Sequence, residues 1–185
     1  MKIWPITTQD SSQRLEWLAR LEILDSSCKA QFEEVVLTAA AICQTPIVLV
    51  SLIDRNRQWF KAQFGFGSQE TGLDMSICAK AIEHEGVFVV TNAEADPRVN
   101  SNPLVYGQPS IQFYAGAPLI VADGTAIGMV CVLDTKVREE GVSPVQDTAL
   151  KELARRVMFL LEHRPLRRPE PCPKSAAQLA AMLCG

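Results

Sequence analysis

Two apolar runs within Phe113–Asp134 flank Asp123-Gly124, and this predicts a β-hairpin closed by a two-residue loop. In that register Ala122 faces Thr125 and Gly116 faces Cys131. Period-two alternation puts Tyr114, Gly116, Pro118 and Ile120 on one face with Ile127, Met129, Cys131 and Leu133. The opposite face takes Phe113, Ala115, Ala117, Leu119, Gly128, Val130 and Val132. Neither face carries much charge, so both call for cover, with helices on one side and a different layer on the other. Pro118 has no N–H to give a ladder, which predicts an edge register or a bulge at that point.

The remaining pattern supplies the partners of this hairpin. Arg14–Leu24 repeats Leu15, Leu18, Leu21 and Leu24 at helical spacing, and Ala30–Cys43 carries a broader stripe of Phe32, Val35, Val36, Ala39, Ile42 and Cys43. Asp25-Ser26-Ser27 separates the two and offers a cap. Pro46–Asp54 and Arg57–Gly65 read as a second hairpin around Arg55-Asn56. A polar loop over Ser68–Asp74 leads to Ser76, the expected N-cap of a short helix over Ile77–His84, and Val87–Thr91 is a short strand. Asn92–Gln112 has little periodicity and three prolines, yet Val99, Leu104, Val105 and Tyr106 suit an ordered cover. Ser143-Pro144-Val145-Gln146 has the form of a capping box with proline at the first helical position, opening a helix to about His163. Its Leu150, Leu153, Val157 and Leu160 fit either core burial or a coiled-coil seam. The organisation expected is an arm over residues 1–13, one domain over 14–163, and a proline-rich basic linker with a short helix over 164–185.

Composition narrows the class. The chain has 185 residues, 48% hydrophobic and 21% charged, enough for one good core. Eighteen basic against 21 acidic residues give a net charge of −3 and no general pull toward nucleic acid or anionic membrane. No stretch predicts a signal peptide or a membrane span. The six cysteines show no CxxC pairing and no framework spacing, as expected in a reducing, cytoplasmic compartment. His84 and His163 have no acidic or thiol partners at ligand spacing, so no metal site is predicted. Walker, HExxH, GxSxG and dinucleotide strings are missing.

An ordered set of strings carries a stronger signal. These are Pro46–Asp54 (PIVLVSLID), Arg57–Lys61 (RQWFK), Ser76–Ala79 (SICA), Asp96–Arg98 (DPR), Asn102–Val105 (NPLV), Phe113–Leu119 (FYAGAPL) and Gly128–Asp134 (GMVCVLD). Together they resemble the GAF domain family, nearest the bacterial subgroup found beside histidine kinase and diguanylate cyclase outputs. The resemblance implies an α+β fold with a central antiparallel sheet and the first and last helices packed on one face. A ligand pocket would lie on the other face, covered by the short helix and the long loop. It also implies dimerisation through terminal helices and a signal passed to an output partner, as in two-component systems.

The ligand-binding candidates that follow are Trp59, Ser76, Cys78, Asp96, Arg98, Tyr114, Gly116, Pro118, Met129 and Cys131. Glycine at 116 permits close approach of a ligand, or simply accommodates a bulky neighbour, and Tyr114 offers a ring with a hydroxyl. Trp59 and Phe60 lie on opposite strand faces, so one at most reaches a pocket. Ser76 and Cys78 straddle a helix start, where capping and an inert thiol compete with anion binding and thiolate chemistry. Arg98 either pairs with Asp96 or reaches a ligand carboxylate or phosphate. Leu15, Leu18, Leu150, Leu153, Val157 and Leu160 are the candidate dimer seam. Bilin-binding relatives have a cysteine followed by histidine, whereas Ala79 follows Cys78 and Val132 follows Cys131. No haem motif stands out either, and the cofactor is unknown. The leading expectation is a regulatory sensor, with no catalytic residue of its own. The alternatives are a free methionine-R-sulfoxide reductase using Cys78 and Cys131, and a ligand-free dimerisation module.

Overall fold

The computed structural model describes residues 8–26 and 30–163. Its spine is a six-stranded antiparallel sheet in the order β3-β2-β1-β6-β5-β4. The strands are β1 (Ile47–Ile53), β2 (Arg57–Phe64), β3 (Glu70–Gly72), β4 (Phe88–Val90), β5 (Phe113–Ile120) and β6 (Ala126–Asp134). The helices are α1 (Thr8–Arg20), α2 (Ala30–Cys43), α3 (Ile77–Ala81), α4 (Pro103–Tyr106) and α5 (Pro144–Glu162), with a 3-10 turn over Leu73–Met75. The expected β5–β6 hairpin is present and Gly116 pairs with Cys131, but its loop is three residues rather than two. The Val121 N–H donates to the Thr125 carbonyl at 3.0 Å, so Ala122 does not face Thr125 and turns with Asp123 and Gly124. The register slips between Leu119 and Ile120, so that Ile120 pairs with Ala126. That bulge sends Ile127 to the helical side, away from the face expected for it. β4 pairs only with Tyr114, Ala115 and Gly116, so Pro118 sits where β5 has become an edge.

The two sheet faces bury two separate cores. On one, Val48, Val50, Leu52, Ala115, Val130 and Val132 pack under α1, α2 and α5. On the other, Leu49, Phe60, Tyr114, Met129, Cys131 and Leu133 pack under α3, α4 and the loops between them. This confirms the expected α+β layering. Four boundaries differ from the sequence expectation. α1 begins at Thr8 and ends at Arg20, short of Leu24, and the chain turns through a positive φ at Glu22. β3 and α4 arise within segments that carry no periodicity of their own; β3 exists because β2 offers it an edge at Arg57, Gln58 and Trp59. α3 is five residues long rather than eight. The expected linker and short helix over 164–185 lie outside the described residues.

Two local features set the ends of the helices. The capping box is formed: the Ser143 hydroxyl accepts from the Gln146 N–H at 3.3 Å, and the Gln146 side chain accepts from the Ser143 N–H at 3.0 Å. Arg138, which the pattern did not single out, donates to the carbonyls of Cys43 and Gln44, pairs with Asp134 at 2.6 Å and lies over the Phe113 ring. It thereby ties the end of α2 to the end of β6.

Candidate functional site

The lidded face holds a compact polar cluster inside an apolar core. Ser76 caps α3 by accepting from the Ala79 N–H at 2.8 Å, which sets Cys78 facing inward at the start of the helix. Beneath it the sheet presents Tyr114 from β5 and Cys131 from β6. The sulfurs of Cys78 and Cys131 are 3.5 Å apart. The Tyr114 hydroxyl donates to the Cys78 sulfur at 3.2 Å, and Gln58 Nε2 donates to the same sulfur at 3.3 Å. Cys78, Cys131, Tyr114 and Gln58 are all buried.

Hydrogen bonding decides the protonation of this group. Burial pushes the Cys78 thiol up, but hydrogen bonds from Cys131, Ser51, Tyr114 and Gln58 together outweigh it and hold the thiol below its ordinary value. Burial raises Cys131 well above the ordinary thiol value, and its hydrogen bond to Cys78 adds to the effect. Tyr114 is raised well above a free phenol, first by burial and then by the charge of Cys78. The two sulfurs of the pair are therefore shifted in opposite directions, Cys78 down and Cys131 up.

Space is the deciding quantity for a ligand. The void under the lid, lined by Leu49, Gln58, Phe60, Cys78, Leu104 and Tyr114 among others, has a volume of about 10 Å³. That is about the room one water needs, and far less than the hundreds of Å³ of a metabolite site. The expected cavity between Tyr114, Gly116 and the proline-rich loop is filled. A Cβ built on Gly116 would lie 2.6 Å from the Tyr114 hydroxyl oxygen and 3.1 Å from the Cys131 Cβ. Gly116 here makes room for the Tyr114 side chain.

Of the ten sequence candidates, Ser76, Cys78, Tyr114, Gly116, Met129 and Cys131 come together on this face. Trp59 does not: it belongs to the helical core, because β2 alternation gives the lid side to Gln58 and Phe60. Asp96 and Arg98 pair with each other in the loop, Nε to Oδ1 at 2.9 Å, which holds the Asp96 carboxyl below the usual carboxylate range. Arg98 also donates to the Val89 carbonyl and lies over the Phe88 ring, with 46% of its side chain exposed. Pro118 lines a different space, an open groove of about 510 Å³ between the free end of β5 and α5, where Met158, Phe159 and Arg155 face it. The candidate seam residues divide by burial. Leu18, Leu150 and Val157 are buried in this chain's own core, and Leu15, Leu153 and Leu160 pack against that core. The exposed apolar residues of the helical layer are instead Leu37, Ile42, Val145 and Phe159.

Two residues of the cluster escaped the sequence reading. Gln58 shares the lid face with Phe60, so alternation along β2 was the available signal. Ser51 lies in an apolar strand, where a lone hydroxyl carries little pattern; its Oγ donates to the Met129 carbonyl at 3.4 Å. Among the described residues no group of three or more His, Cys, Asp and Glu side chains could hold a metal ion.

A helical layer, a six-stranded antiparallel sheet and a lidded second core make the small α+β scaffold that serves regulatory proteins as a sensor module. The chain belongs to the GAF domain family, whose pattern matches residues 28–161. It is 41% identical over 155 residues to a cyclic di-GMP phosphodiesterase of Pseudomonas aeruginosa, a match covering 83% of this chain and 26% of that protein. The chain thus spans about a quarter of that relative's length. Among solved structures it resembles the GAF domain of an Acinetobacter phosphoenolpyruvate-protein phosphotransferase, with TM-score 0.59 and 17% identity over 83% of this chain and 95% of the other. It also resembles a type II free methionine-R-sulfoxide reductase from Thermoplasma acidophilum, with TM-score 0.58 and 15% identity over 72% and 92%. At these identities the two structures speak for the fold alone.

Proposed function

We propose that this chain is a cytoplasmic regulatory module of cyclic di-GMP signalling, one that controls a phosphodiesterase-type output and does not itself catalyse. The observation that carries this role is its 41% identity to a fraction, 26%, of a cyclic di-GMP phosphodiesterase. The signal would pass through the sheet, since β6 carries Cys131 on the lid side and Val130 and Val132 against the helices. A ligand of the lidded face would act by preferring one arrangement of the helical layer, and equal affinity for both would move nothing. With a void of about 10 Å³, it would enter only after the lid lifts, so its apparent affinity would fall with the rarity of the open state. The same filled core supports a second role, a module kept for assembly without a ligand. Any pairing of two copies would use the exposed residues Leu37 and Phe159 rather than Leu18, Leu150 or Val157.

The test compares three strains by mass spectrometry of cellular cyclic di-GMP: the parent, one lacking this chain, and one carrying Phe159→Asp. Regulation predicts altered nucleotide in both altered strains. Equal levels in all three, or hydrolysis of cyclic di-GMP by the purified chain alone, would overturn the role. Light scattering of the purified Phe159→Asp chain shows whether the change acts by separating two copies.

A further inference from the structure

Two thiols, a tyrosine hydroxyl and a glutamine amide meet within hydrogen-bond reach in a sealed core, and the regulatory role has no use for them. Plain core packing would place apolar side chains there, since buried polar groups cost free energy unless paired. Here the donors converge on one atom. Cys78 Sγ receives the Tyr114 hydroxyl at 3.2 Å and Gln58 Nε2 at 3.3 Å, with Cys131 Sγ at 3.5 Å. Donors aimed at a sulfur stabilise its anion, and the thiolate is the nucleophilic form. The adjoining void also touches Thr71, whose hydroxyl is buried and has no hydrogen-bond partner.

We propose that Cys78 and Cys131 form a redox-active dithiol that a small peroxide converts to a disulfide joining α3 to β6. The Cys78 thiolate attacks one peroxide oxygen and the O–O bond breaks. Cys78 becomes a sulfenic acid, and the departing oxygen takes a proton and leaves as water or an alcohol. The Cys131 sulfur then attacks the Cys78 sulfur; the S–O bond breaks, and the hydroxide leaves as water with the Cys131 proton. In sum two thiols and one peroxide give one disulfide, one water and one water or alcohol, the sulfurs losing the two electrons the peroxide gains. Cys78 is the attacking member because the donors converge on it, and Cys131 is the resolving one because its sulfur lies 3.5 Å from the Cys78 sulfur. Closing the gap from 3.5 Å to a disulfide length of about 2 Å pulls the lid helix onto the central strand. The void of about 10 Å³ admits little more than a water, so the oxidant enters as the lid opens locally. The chemistry is independent of the cyclic di-GMP role and stands if that role fails.

The test uses the whole reduced chain, treated with hydrogen peroxide, denatured, blocked with N-ethylmaleimide and mapped by peptide mass spectrometry without reduction. The expected product is a linked pair of peptides containing Cys78 and Cys131, formed before Cys43 reacts. Cys131→Ser should stop at a Cys78 sulfenic acid that dimedone traps, and Cys78→Ser should leave Cys131 unmodified. Tyr114→Phe, at a positioning residue, should move the pH profile of Cys78 oxidation upward. The wild-type map decides the matter even if a variant misfolds. Cys78 and Cys131 remaining alkylatable while Cys43 oxidises would overturn the proposal. So would linkage no faster in the folded chain than in guanidinium.

Discussion

At the scale of single residues, Gly116 shows how one position serves a neighbour. Its missing Cβ is the space that the Tyr114 hydroxyl occupies, 2.6 Å from where that carbon would sit. Gly116→Ala should therefore cost about 1–3 kcal/mol, the usual range for overpacking a core. Because the first atom struck is the Tyr114 oxygen, Tyr114→Phe should relieve part of that cost. A double-mutant cycle by urea unfolding should give a coupling of about 0.5–3 kcal/mol, and strict additivity would break the link between the two positions. The sequence already paired Gly116 with Cys131 and set Tyr114 on the same face. It could not say which of two uses the glycine has, because a ring's rotamer depends on what stands across the core. Trp59 failed for a related reason. Both faces of β2 are apolar enough to bury an aromatic ring, so only the assembled layers assign them.

At the scale of elements, legibility followed the strength of local chemistry. α2 appears over Ala30–Cys43 as its stripe requires, and α5 begins where Ser143 and Gln146 place it. That capping box satisfies N–H groups that the helix itself cannot pair. Ser143→Ala should cost about 1 kcal/mol. Calorimetry should find Tm lower by roughly 2–4 °C for a domain of this size. An unchanged Tm would mean the box contributes nothing. β3 and α4 were illegible because neither has a pattern of its own. β3 is three residues held by the edge of β2. α4 is a single turn, capped by the Asn102 side chain on the Leu104 N–H at 2.9 Å and seated on the second core by Leu104 and Val105. The stripe on α5 was ambiguous because a 3-4-3 spacing serves intramolecular and intermolecular burial equally. In the folded chain Leu150 and Val157 are buried in the core, while Leu153 and Leu160 are half-buried against it.

For the whole molecule, buried acids set the response to alkali. Burial raises Cys43 against the Arg138 charge, and it raises Cys131 and Tyr114 as well, while Cys78 alone is lowered. Above the ordinary values of 9.0 for cysteine and 10.0 for tyrosine, the unfolded chain releases protons that the folded chain keeps at three of these sites. Stability then falls as pH rises, since the native state binds more protons. Cys78 acts oppositely, adding stability as pH climbs from its lowered folded value to 9.0. Urea midpoints should hold or rise slightly toward pH 9 and then decline, with a shallower decline in Cys131→Ala. A midpoint that stayed level up to pH 11 would contradict the burial of these groups. The sequence by itself determined the sheet-and-helix layering, the central register and the family, because periodicity, turn residues and caps act between near neighbours. Only the tertiary structure decided that the lidded face is filled and that two thiols and a tyrosine meet there. Those outcomes depend on side-chain volumes and donor directions brought together from strands and a helix far apart along the chain, and no local pattern encodes them.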